Sequence, residues 1–111
     1  MTVTEIRDLA HYKELINNNK VVIIDAWAVW CGPCRFISPV FEKLSENPEY
    51  SKGGVVFAKV DVDQVEDVSQ ELGIRAMPTF ISFYDGDVED KLQGADPKGL
   101  EKLVQEVTNK V

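Results

Sequence analysis

Cysteine, histidine and basic residues are all scarce in this sequence, and no apolar run is long enough to cross a bilayer. A closed zinc site takes about four Cys, His or carboxylate ligands. Two cysteines and one histidine, with no second Cys-x-x-Cys, fall short of that, so no metal is expected. His11 lies off the helical stripe of Leu9, Tyr12 and Ile16 and is expected to face solvent. The 12 basic residues stand against 19 acidic ones, a net charge of -7. That balance repels nucleic acid and anionic membrane surfaces, and neither is an expected partner. MTVTEIRDLAHYKEL, residues 1–15, mixes charge with apolar positions and has no h-region, so no signal peptide is expected and the chain reads as cytoplasmic. In a reducing compartment a lone cysteine pair is more often reactive or metal-binding than a permanent crosslink, and so short a loop gains little from closure.

What the sequence does have is enough apolar content, 44%, for one core, which predicts a single domain over residues 1–111. VVIID (residues 21–25) and VVFAKVDV (residues 55–62) are β-branched runs without alternation, as suits central strands covered on both faces. Between them Ile37, Val40, Phe41 and Leu44 recur at helical spacing, giving a parallel strand–helix–strand crossover. Val65, Val68 and Leu72 predict a second helix, stopped by Gly73. TFISFYDGDVEDKL, residues 79–92, reads as a hairpin about Asp85-Gly86. Asp96 and Pro97 open a last helix with the stripe Leu100, Leu103, Val104 and Val107, while Leu9, Tyr12, Leu15 and Ile16 mark a first one. The pattern is α/β, with a central mixed sheet of four to five strands flanked by about four helices. The acidic runs DVDQVED and DGDVED lack EF-hand order and read as solvated loops.

The two cysteines fall in AWAVWCGPCRF, residues 26–36, where the first strand gives way to a helix. The Cys-x-x-Cys spacing alone leaves a redox pair, a zinc half-site and a structural disulfide open. Cys31, just before the helix, meets unpaired backbone N–H groups and the positive end of the helix dipole, which favour thiolate. It is the expected nucleophile. Cys34, a turn further in, is expected to be more shielded and to resolve the mixed disulfide that Cys31 forms. Asp25 has two readings: a buried carboxyl with a raised pKa that moves the proton of Cys34, or a carboxylate at the strand end capping the next turn in water. Lys59 is either its partner or a cation reaching solvent at the sheet edge.

DAWAVWCGPCRFISP (residues 25–39), AKVDVDQ (58–64), GIRAMPTF (73–80) and GA (94–95) together resemble the thioredoxin family over nearly the whole chain. The resemblance implies the thioredoxin fold, with Cys31 as nucleophile, Cys34 as resolving thiol, Asp25 as buried proton-transfer group and Lys59 as its neighbour. It further implies a cis Met77-Pro78 bond, and a docking surface of Trp30, Gly32, Pro33, Ala76, Met77, Pro78, Gly94 and Ala95. Without it, Trp30 reads equally as core or surface. The implied activity is reduction of disulfides in client proteins by a monomeric electron carrier of cell redox homeostasis. Such a carrier binds no cofactor and is itself re-reduced by an NADPH-dependent flavoprotein, thioredoxin reductase. Reverse chemistry, as an oxidase or isomerase, and a redox-gated binding module are the competing readings. The chain departs from the family pattern at Ala26, where a large aromatic is usual, and at Arg35, where Lys is common. Pro39 is expected to kink its helix, as it does in the family.

Overall fold

Each strand of the β-branched runs buries both of its faces, and this is what organises the computed structural model of the protein, which describes residues 2–111. In chain order the elements are β1 (Val3–Glu5), α1 (Leu9–Asn18), β2 (Val21–Trp27), α2 (Gly32–Glu46), β3 (Val55–Asp61), α3 (Glu66–Leu72), β4 (Thr79–Tyr84), β5 (Asp87–Gln93) and α4 (Pro97–Thr108). The sheet has the order β1-β3-β2-β4-β5. β3 runs parallel to β1 and β2, while β4 is antiparallel to β2 and β5, so the sheet is mixed as expected. β1 is the fifth strand, and at three residues it is too short to show a period. The run DGDVED, expected as a loop, is instead the β4–β5 turn followed by part of β5.

Side-chain alternation explains why VVIID has none in its hydropathy. Val22 and Ile24 point into a layer closed by Tyr12 of α1 and by Val68 and Leu72 of α3. Val21 and Ile23 point the other way, against Ile37, Phe41 and Leu44 of α2 and Leu100, Leu103, Val104 and Val107 of α4. β2 is thus the central strand of five, apolar on both sides. The same alternation puts Asp25 on the face that α2 covers. β2 also continues to Trp27, so Asp25 lies within the strand and not at its end.

His11 departs from expectation. It is buried, with only 9% of its surface exposed. The Arg7 backbone N–H donates to its Nδ1 (3.0 Å), and its own backbone N–H donates to the N-cap carboxylate of Asp8 (2.8 Å). A backbone donor ahead of α1 needed an acceptor, and the ring supplies it.

The turns keep their expected chemistry. Asp85 and Gly86 both adopt positive φ, 52° and 86°, as a type I′ hairpin requires. Gly73 ends α3 in the left-handed conformation at φ 66°, and a Cβ there would meet nothing within 4 Å. Gly73→Ala therefore carries only the backbone penalty, about 1 kcal/mol, readable as an equivalent loss in urea unfolding with an unchanged m-value.

Candidate active site

At the end of β2 the chain turns sharply before α2 begins. Cys31 N–H donates to Ala28 O (3.2 Å), and Pro33 occupies the first turn of α2, where a missing N–H costs nothing. Cys31 is the N-cap of that helix. Its sulfur stands where a capping oxygen usually does and accepts the backbone N–H of Cys34 at 3.1 Å. That donor, together with the helix dipole, favours negative charge on Cys31 Sγ in the reduced state. Here the two cysteines form a disulfide. They are equally covered, 4% and 3% exposed, so shielding does not distinguish them as expected. What separates them is the cap, which serves only Cys31.

Behind Cys34 lies Asp25, 3% exposed, its Oδ1 without a protein partner. Burial pushes its pKa up to about 7, and the nearby Lys59 ammonium only partly opposes that. Asp25 is thus a buried carboxyl and not a carboxylate capping the next turn in water. Asp25 and Lys59 are directly opposed in the β2–β3 register. Lys59 is half-buried, its Nζ 5.9 Å from the Trp27 ring centroid. Asp25, Trp27, Cys34, Arg35, Ser38 and Lys59 line a cavity of about 130 Å³. Among the described residues, no group of three or more His, Cys, Asp or Glu side chains is placed to hold a metal.

Around the disulfide, Trp30 is 65% exposed, its Nε1 donating to Asp63 Oδ2 at 2.8 Å. Gly32, Pro33 and Ala76 are exposed, while Met77, Gly94 and Ala95 are half-buried. Met77-Pro78 is cis. Pro78 is buried, and its carbonyl accepts the Gly94 N–H (2.9 Å). This bond ties residues 76–78 to residues 94–95. Three participants escaped the sequence reading. Val29 and Phe36 are also exposed apolar side chains flanking the cysteines in sequence, and Phe36 could have been noticed as an aromatic off the buried stripe of α2. Asp63 could not have been, since its contact with Trp30 spans 33 residues. Arg35, the departure noted above, donates Nη1 to Val29 O (3.1 Å).

A vicinal cysteine pair capping the helix that follows the central strand, with a buried carboxyl behind it, defines a thiol-disulfide oxidoreductase. The thioredoxin family profile matches residues 2–109. A thioredoxin of Coprinus comatus is 54% identical over 103 residues, 93% of this chain and 95% of that protein. The crystal structure of Malassezia sympodialis thioredoxin superposes with a TM-score of 0.89 at 45% identity, covering 96% of this chain and 90% of that one. A structure from work on the thiol-resolving mechanism of a yeast mitochondrial 1-Cys peroxiredoxin, via glutathione/thioredoxin systems, gives 0.86 at 36% identity, covering 95% of each chain. The chain belongs to the thioredoxin family.

Proposed function

We propose that this protein is a cytoplasmic, single-domain protein-disulfide reductase whose CGPC pair cycles between dithiol and disulfide. The observation that carries this reading is the asymmetry of the pair: Cys31 Sγ holds the helix N-cap, and Cys34 shares a cavity with buried Asp25. Cys31 thiolate attacks a client disulfide, forming one S–S bond to the client and releasing one client thiolate. Asp25 carboxylate takes the Cys34 proton, and Cys34 thiolate attacks Cys31 sulfur. The second client thiolate leaves, and two electrons have passed to the client as the Cys31–Cys34 bond closes. A carboxyl of pKa about 7 suits the task, since it can take and return a proton near neutral pH. Lys59, opposite it, tempers that value.

Clients dock on Trp30, Gly32, Pro33, Ala76, Met77, Pro78, Gly94 and Ala95. The yeast peroxiredoxin system named above supports thiol peroxidases as one class of client. The family resemblance supports re-reduction by an NADPH-dependent thioredoxin reductase. Mixing this protein with that flavoenzyme, NADPH and a disulfide-bonded client is expected to oxidise one NADPH per client disulfide reduced. No NADPH oxidation beyond the reductase alone would overturn the cycle. A pair left mostly reduced by a glutathione buffer would instead point to an oxidase. The exposed apolar side chains Val29, Trp30 and Phe36, close to the cysteines in sequence, also favour a second reading, a binding module gated by the disulfide. Partner binding unchanged in a Cys31→Ser, Cys34→Ser double variant would support it.

A further inference from the structure

If Asp25 moves protons, each one it takes must return to solvent, and the strand around it offers no exit. Its β4 neighbour in the register is Phe80, fully buried, and α2 closes the face above. The cavity is the way out. Its walls bring together Trp27 of β2, Cys34, Arg35 and Ser38 of α2, and Lys59 of β3. A space of about 130 Å³ holds several waters where one needs roughly 15 Å³. Two buried polar atoms, Asp25 Oδ1 and Trp27 Nε1, have no protein partner.

Passing a proton along hydrogen bonds requires groups that both accept and donate. Trp27 Nε1, Arg35 and Lys59 are donors only. Both cations are also engaged: Arg35 Nη1 binds Val29 O, and Lys59 Nζ lies over the Trp27 ring. Among the neutral lining side chains, only the Ser38 hydroxyl is a strong donor and acceptor together. Ser38 sits one helical turn beyond Cys34, lines the cavity and is itself partly exposed, so it touches both the cavity and solvent.

We propose that Ser38 is a positioning residue that anchors the water chain linking Asp25 to solvent, and so sets the pH range over which Asp25 accepts the Cys34 proton. This rests on the proton-transfer role given to Asp25 above. The hydroxyl stabilises the charged carboxylate through water, so its loss favours the protonated form.

The test is a single-turnover reaction of the reduced protein with an aromatic disulfide whose two thiols are released in sequence, the first by Cys31 and the second by Cys34. Rates are followed from pH 5.5 to 8.5 in Ser38→Ala, Ser38→Thr and Asp25→Asn. In Ser38→Ala the acid limb of the second step is expected to move up by roughly one pH unit, a loss of about tenfold at pH 6, with convergence on the unsubstituted protein at pH 8.5. The first step is unchanged. Ser38→Thr, which keeps the hydroxyl, restores the profile. An unshifted acid limb in Ser38→Ala beside an impaired Asp25→Asn would overturn the relay alone. A shifted limb that Ser38→Thr fails to restore would also overturn it. An Asp25→Asn variant with the original profile would overturn the proton-transfer role and the relay with it.

Discussion

Cys31→Ser is expected to abolish disulfide reduction, lowering turnover by at least on the order of a thousandfold, because serine offers no thiolate at the N-cap. Cys34→Ser fails differently. Its Cys31 retains the helix N-terminus and the backbone donor of residue 34, which accounts for the 3.1 Å contact to the sulfur and does not depend on that residue's side chain. Attack on the client therefore proceeds, and the reaction stops at a covalent mixed disulfide. Non-reducing electrophoresis should show a band at the summed mass for Cys34→Ser, sensitive to dithiothreitol, and none for Cys31→Ser. Full multiple-turnover activity in either variant would remove the pair from the mechanism. Both substitutions are nearly isosteric, so lost activity with an unchanged thermal transition of the reduced protein separates chemistry from folding.

The second large effect is thermodynamic and belongs to Asp25. Its carboxyl is held at about 7 in the folded chain, against 3.8 when freely solvated. Below about pH 4 both states carry the proton, and the fold bears no charge penalty. Between about 4 and 7 the unfolded chain has released that proton while the folded chain keeps it. Stability then falls with rising pH, by about 1.4 kcal/mol per unit. Above about 7 both states are ionised and the loss is complete, roughly 4 kcal/mol in all. Asp25→Asn has no such proton. The difference in unfolding free energy between Asp25→Asn and the unsubstituted protein should therefore grow by about 4 kcal/mol from pH 4 to pH 8. A difference that stays flat would mean that Asp25 titrates as a solvated carboxylate. The disadvantage is tolerable only if the group serves something other than the fold.

Periodicity made most of the architecture legible. The stripes of α2 and α4, the unbroken β2 and β3 runs and the Asp85-Gly86 turn each carry a local signal strong enough to survive tertiary context. β1 carried none, because Val3–Glu5 is a strand only through its register with Phe57, Ala58 and Lys59. His11 misled for a related reason: its position on the helical wheel is polar, and the Arg7 N–H that its buried ring accepts comes from outside the helix. At the site, Cys31 and Cys34 were readable from their junction between strand and helix. The burial of Asp25 required knowing that β2 runs on to Trp27, which no feature of VVIID reveals. Exposed Trp30, buried Pro78 and the Asp63 contact depend on segments that meet only after folding.

The strand register also locates the hairpin turn. Ala26, beside the thiols, is paired with Thr79, whereas Val21, at the far end of β2, is paired with Tyr84, immediately before Asp85-Gly86. Those two ends of β2 lie about 16 Å apart at strand spacing. The turn is thus a natural handle: a fluorophore or surface tether fixed there hangs from the pole opposite the chemistry, leaving the thiol face open to whatever protein comes to it.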